Sequence, residues 1–156
     1  MSDATRKIVD DFYTAFARKD AEAMCALYAK DVHFRDPVFL DLHGDQARGM
    51  WRMLCGRAKD FSLTHEVLEA TSTSAKARWI ANYTFNTGRH VENRIEATMQ
   101  IEGGRIRDHR DDFDLYRWAR QALGPTGLLL GWTPFVQGKI RRTAREGLDQ
   151  YLAKGG

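Results

Sequence analysis

The chain has 156 residues, a net charge of +3, 43% hydrophobic and 29% charged residues. Those values describe one ordinary globular domain, and no apolar run approaches the ~20 residues of a membrane span. A chain of this size buries roughly two-thirds of its unfolded surface and folds without a metal or disulfide.

Residues 3–18 place Ile8, Phe12 and Phe16 four apart, with Val9 and Tyr13 beside them. That spacing predicts an amphipathic helix capped by Ser2 or Asp3. Asp20 is positioned to cap a shorter helix carrying Met24, Leu27 and Tyr28. VHFRDPVF then reads as extended, because a residue before proline is pushed out of the helical region. Asp45 is positioned to cap a third helix bearing Ala47, Met50, Trp51 and Leu54.

Beyond residue 60 the apolar period changes from 3.6 to 2. FSLTHEVLEA, ARWIANYTF, HVENRIEATMQI and IRDHRDDFD predict four strands, with turns at NTGR and EGGR. Trp79, Ala81, Tyr83 and Phe85 share one strand face; Val91, Asn93, Ile95, Ala97, Met99 and Ile101 share another. LYRWARQAL predicts a short helix, GPTGLLLGWTPF a loop, and GKIRRTAREGLDQYLA a last amphipathic helix. Three helices followed by an antiparallel meander predict an α+β fold with helices on one face of a curved sheet.

Two cysteines, Cys25 and Cys55, with no CxxC, suit a reducing cytosol, and no apolar signal core opens the chain; a cytoplasmic protein is expected. From Arg117 onward seven Lys/Arg face two acids, a charge of +5, which leaves −2 for the first 116 residues. A basic tail helix is either a solvated face or a contact for an anionic partner. The first reading is preferred, with no nucleic acid and no integral membrane association expected. The apolar GLLLGWTPF segment is expected to close over the fold or pack at an interface, with membrane contact the remaining alternative.

His109, Asp111 and Phe113 share one strand face, and Asp108, Arg110 and Asp112 the other. A carboxylate beside an imidazole fixes its tautomer and raises its basicity. A carboxyl in an apolar pocket has its pKa raised, so Asp36 and Asp111 are candidates for proton transfer near neutral pH. Asp36 is also a natural turn-maker before Pro37. His65 reads as a hydrogen-bonded sheet histidine. His33, His43 and His90 show no metal-ligand spacing, so neither metal nor cofactor is expected. No glycine-rich loop joins a strand to a helix, which speaks against a dinucleotide site.

The stretches DFYTAFARKDAEAMCALYAKDVHFRDPV and GGRIRDHRDDFDLYRW resemble the nuclear transport factor 2-like superfamily, which includes ketosteroid isomerases, SnoaL-like cyclases and limonene epoxide hydrolases. The resemblance covers roughly residues 8–118. It implies a cone-shaped curved antiparallel sheet with three N-terminal helices over residues 1–116. Residues 117–156 are then expected to form a C-terminal helical extension packed on that domain. It also implies a small hydrophobic ligand and a homodimer formed through the convex sheet face.

The isomerases place a general base in a similar Asp-Pro-Val run, which matches Asp36. Their tyrosine donor falls on Phe12, with Tyr13 one residue off and expected to point elsewhere. Their acidic donor falls on Glu96 or Ala97, and the apolar alternation favours Ala97 inward. The last-strand acid of the cyclases and hydrolases matches Asp111, whereas WIANYTF lacks the hydrolases' Arg-x-Asp. The expected site is thus Asp36, His109 and Asp111, lined by Phe12, Phe16, Phe39, Trp79, Tyr83, Asn93 and Phe113. Cofactor-free acid–base catalysis of an isomerase, cyclase or hydrolase type is one reading. A non-catalytic binding protein for an apolar ligand is the other, and action through the basic C-terminal helix is a third.

Overall fold

A computed structural model describes residues 2–155. Helix α1 (Asp3–Ala17) starts where Ser2 Oγ accepts the Thr5 N–H at 3.2 Å. Its buried stripe is Val9, Phe12, Tyr13 and Phe16, the i, i+3, i+4, i+7 pattern of a helix against a core. Helix α2 (Ala21–Ala26) is capped by Asp20 Oδ1, which accepts the Ala23 N–H at 3.1 Å. Tyr28, expected on that helix, instead opens strand β1 (Tyr28–Arg35). A two-residue strand β2 (Leu42–His43) precedes helix α3 (Asp45–Arg57). Asp45 is not the cap of α3: Gly44 takes that place at φ +54°, where glycine is favoured, and Asp45 pairs with Arg48 at 3.2 Å.

Strands β3 (Lys59–Ala70), β4 (Ser74–Thr84), β5 (His90–Glu102) and β6 (Arg105–Asp112) form the expected meander. The sheet order is β2-β1-β6-β5-β4-β3. One junction is parallel: β1 runs beside β6, pairing His33 with Asp108 and Phe34 with His109. Successive side chains point to opposite faces, so His33 lies on the outer face and Phe34 on the inner. Helix α1 covers β3 and β4, and α3 covers β1 and β2. The result is an α+β fold, a six-stranded sheet with helices packed on its inner face.

After β6, Asp114 caps helix α4 (Leu115–Leu123) by accepting the Arg117 N–H at 3.1 Å. The stretch expected as a loop holds a short helix, α5 (Pro125–Leu130), and α6 (Pro134–Ala153) starts four residues earlier than expected. Both prolines that looked like breakers sit in a helical first turn, where no backbone donor is needed. Gly127 makes the α4–α5 corner possible, because a Cβ there would lie 1.9 Å from the Ala119 carbonyl oxygen.

The main core runs from α1 through the inner sheet face to Leu148 of α6. A second cluster joins Val91 to Leu115, Trp118, Ala119 and Ala122, and Val38, Tyr83 and Phe113 bridge the two. The expected closure by GLLLGWTPF is not found. Trp132 and Phe135 are 64% and 79% exposed, and Leu128, Leu129 and Leu130 also face outward, because the small face of α5 at Gly127 is the one that packs.

Candidate functional site

A continuous polar chain crosses the inner face of the sheet. Trp51 Nε1–H donates to Tyr28 Oη at 2.8 Å, and Tyr28 Oη lies 2.7 Å from His109 Nδ1. His109 Nε2 lies 2.8 Å from Asp111 Oδ1, which also receives Trp79 Nε1–H at 3.4 Å. Hydrogen-bond logic gives these bonds a direction. With Asp111 as the carboxylate, Nε2–H donates to it, and Nδ1 accepts the Tyr28 hydroxyl proton. The donors and acceptors that face one another along this network are then all paired. The opposite tautomer would leave the Tyr28 proton without an acceptor. Trp51 and Phe34 pack on the imidazole with ring centroids at 6.1 and 5.0 Å. His109 is 0% exposed and Asp111 4%.

Asp36 stands just past the end of β1, on the same side as Asp111. Its Oδ1 accepts the backbone N–H groups of Val38 at 2.7 Å and Phe39 at 2.6 Å. It therefore shapes the turn, and it also lines a cleft. That cleft, about 290 Å³, holds Asp36 and Asp111, with Pro37 and Leu40 as an apolar rim and Arg35, Arg110 and Asp112 as a charged one of mixed sign. Burial of the partly exposed Asp36 carboxyl pushes its pKa up to about 7. The two backbone donors oppose that rise, and the nearby charge of Asp111 adds to it. A larger cleft of about 490 Å³, lined by Arg89, His90, Arg117, Arg120 and Gln121, contains none of the three acid–base candidates.

The expected lining residues divide between two places. Phe12, Phe16, Phe39 and Trp79 are buried in the main core. Phe12 packs on Tyr28 at 5.4 Å and on His109 at 5.5 Å; Phe16 packs on Trp51 and Trp79. Tyr83, Asn93 and Phe113 are half-buried. Trp118 Nε1–H donates to Tyr83 Oη at 2.8 Å, and burial raises the Tyr83 pKa, with a further contribution from Asp36. Tyr83 thus lies within electrostatic reach of Asp36. Ala97 faces inward at 2% exposure while Glu96 pairs with Arg78 on the outside, as the alternation predicts.

Three interior residues were missed. The sequence places Tyr28 and Trp51 on helix faces and gives no sign that Trp51 bonds Tyr28 and Tyr28 in turn bonds His109. Tyr13 was expected to point elsewhere, yet it is 0% exposed. It stacks on His65 at 5.3 Å and lies 5.9 Å from Trp79. Its hydroxyl has no hydrogen-bond partner among the described residues. Burial, then the charge of Asp111, pushes its pKa well above the ordinary phenol value, so it is a neutral donor. The signal was present: Val9, Phe12, Tyr13 and Phe16 form one helical stripe. His65 is bound to Asp10 at 2.8 Å, as a sheet histidine should be.

The metal-ligand spacing that the sequence lacked exists in space. His33, Asp41 and His43 bring one donor atom each to within 4.8 Å of one another.

These features agree with what the chain resembles. The family model described as SnoaL-like domain matches residues 9–109, and the chain belongs to that family. A solved nuclear transport factor 2-like protein of unknown function from Burkholderia pseudomallei is 23% identical. It covers 78% of this chain and 98% of its own, with a TM-score of 0.69. A protein with a ketosteroid isomerase-like fold from Catenulispora acidiphila, solved with trimethylamine, is 18% identical, covers 83% and 99%, and has a TM-score of 0.67. An epoxide hydrolase of the LEH-like kind from M. tuberculosis is 20% identical, covers 84% and 96%, and has a TM-score of 0.61. At these identities the likeness shows the fold. No curated protein matches the chain. Among the described residues, no helix is long and apolar enough to cross a membrane.

Proposed function

We propose that the cleft joining Asp36 to Asp111 is a cofactor-free acid–base site for a small, largely apolar substrate with an activatable C–H beside a carbonyl. The observation that carries this is the cleft shared by Asp36 and Asp111, where burial pushes the Asp36 carboxyl up to about 7 and so suits it to take and return a proton near neutral pH. Its Oδ1 is held by two backbone donors, which leaves Oδ2 as the proton-transferring oxygen. Asp111, anchored through Oδ1 to His109 and Trp79, is a fixed charge that keeps Asp36 basic. Charge developing on the substrate oxygen needs a neutral donor. Neither interior phenol lines the cleft itself. Tyr83, whose oxygen accepts from Trp118 and whose pKa the charge of Asp36 helps to raise, has a proton to give. Tyr13, neutral and sealed in the core, has one for a ligand that reaches past Asp111. Epoxide opening fits less well, since β4 lacks the Arg-x-Asp of the hydrolases.

The second reading, binding without chemistry, is favoured by a different observation. The His109–Asp111 pair is sealed among aromatic rings with its bonds paired internally, as in a structural network. α-Carbon deuterium exchange over a panel of enolisable ketones separates the two. Wild type should exchange at least one member, with a rate rising through pH of about 7. Asp36→Asn should lose about 100-fold or more, the usual range for a general base. Equal exchange in both proteins would overturn the catalytic reading, and saturable binding without exchange would establish the other. We further propose a cytoplasmic homodimer, with residues 117–156 an extension of the SnoaL-like domain, from the family resemblance and the absence of a disulfide framework; sedimentation tests the dimer.

A further inference from the structure

We propose that His33, His43 and Asp41 form a binding site for a divalent transition metal, with zinc the ion of best fit. The site lies on the outer face of the β1–β2 pair, and it goes beyond the acid–base reading of the cleft.

The backbone builds it. His33 and His43 are direct partners across the antiparallel β1–β2 pair, so their side chains leave the same face side by side. The two imidazoles stack at 4.4 Å with an interplanar angle of 1°, so a ring must turn to bring both nitrogen lone pairs onto one ion, and the exposed His43 ring is free to do so. Both aim Nε2 at a single atom: Asp41 Oδ1 lies 2.5 Å from His33 Nε2 and 3.0 Å from His43 Nε2. Two nitrogens and one oxygen therefore converge on one small volume. Asp41 is pinned from behind, where Arg145 Nη1–H donates to its carbonyl at 3.3 Å, and the His43 N–H is held by Gln46 Oε1 at 3.0 Å.

The donor set names the class of ion. Two imidazoles and a carboxylate suit borderline metals such as zinc, nickel or copper, whereas magnesium and calcium prefer all-oxygen shells. Zinc takes His nitrogen and Asp oxygen at about 2.0–2.2 Å, with tetrahedral donors roughly 3.3 Å apart. The present donors fall within 4.8 Å of each other. The His43 and Asp41 side chains are 62% and 63% exposed, so they are free to close the remaining gap. Three protein ligands at the surface leave a fourth position for water. An independent feature supports the same reading: His33 Nδ1 faces Asp108 Oδ2 at 3.6 Å. A carboxylate behind the ring's other nitrogen is the arrangement that orients metal-bound histidines and strengthens them as donors.

The test is titration of the metal-stripped full chain with zinc sulfate by calorimetry, with bound metal counted after gel filtration. Wild type should take up one zinc per chain, and magnesium should neither bind there nor compete. His43→Gln and Asp41→Asn, both at exposed side chains, should each weaken binding by at least about tenfold. Asp108→Asn should weaken it less, with stoichiometry kept. His90→Gln, a surface histidine outside the cluster, should bind as wild type does. No saturable binding, or binding that His43→Gln and Asp41→Asn leave unchanged, would overturn the proposal.

Discussion

Two histidines one rung apart on the β1–β6 pair have opposite fates. Phe34 pairs with His109 on the inner face, and His33 pairs with Asp108 on the outer. Inside, the imidazole is locked by Tyr28 and Asp111 at 2.7 and 2.8 Å, and nothing about it is free to change without leaving a buried group unpaired. Outside, His33 also meets carboxylates, Asp41 and Asp108, but its side chain is 29% exposed and its partners are more open still. The contacts are chemically alike. What differs is the cost of breaking them: inside, water cannot replace the lost partner, and outside it does. The inner pair is therefore a structural commitment and the outer set is free for exchange.

The largest expected difference between the two histidines is in stability. His109→Ala would strand the Tyr28 hydroxyl and the Asp111 carboxylate and open a cavity among rings. Removing one partner of a buried pair costs about 3–5 kcal/mol. His43→Ala on the outer face should stay within about 0.5 kcal/mol. Urea denaturation of both measures the gap; similar losses would mean the interior chain is not what holds this part of the fold. Tyr28→Phe comes next. It removes the hinge of the chain and leaves Trp51 Nε1–H and His109 Nδ1 unpaired, for about 1–3 kcal/mol. A loss below the error of the fit would show that the bonds from Trp51 and to His109 contribute nothing net.

Asp36 sharpens the comparison through pH. Its folded-state pKa is about 7 against 3.8 for the free carboxyl. A raised pKa means the folded state binds the proton more tightly than the unfolded one. The associated stability is fully present below pH of about 4 and is lost as pH rises through about 7. Asp36→Asn has no such proton, and its side-chain oxygen still accepts from Val38 and Phe39. The stability of wild type relative to Asp36→Asn should therefore fall between pH 4 and 8. The change should be about 1–2 kcal/mol, since partial exposure of Asp36 screens part of the shift. A difference that is flat with pH would mean the carboxyl is better solvated than its burial implies.

How far these features could be read from residues alone depended on how local their causes are. The period-2 alternation of residues 91–101 placed Ala97 inward and Glu96 outward, because strand facing is set by neighbours two apart. The Asp20 cap and the Asp36 turn are likewise local. The α5 helix was hidden because Pro125, Gly127 and Gly131 look like breakers until one sees Pro125 in the first turn and Gly127 against Ala119. The His33–Asp41–His43 cluster was hidden for a different reason. Its members meet only through the pairing of an eight-residue strand with a two-residue one, and β2 is too short to show any period. Tyr28 was assigned to the wrong element, so its bond to His109, 81 residues away, had no route to discovery.

Tyr13 provides the smallest expected effect and one that separates folding from function. Its hydroxyl is fully buried without a partner. An unsatisfied buried hydroxyl is a liability for the folded state, so Tyr13→Phe should be neutral or stabilising by up to about 1 kcal/mol, opposite in sign to Tyr28→Phe. If the hydroxyl serves a ligand, the same variant should lose ketone exchange or binding while gaining stability. Retained stability cost at a site of use is how function departs from optimal packing. A gain in stability with unchanged binding would remove Tyr13 from the site and leave Tyr83 as the donor beside Asp36. A loss of stability would mean the hydroxyl is bonded in solution, most simply by a buried water reaching toward Asp111.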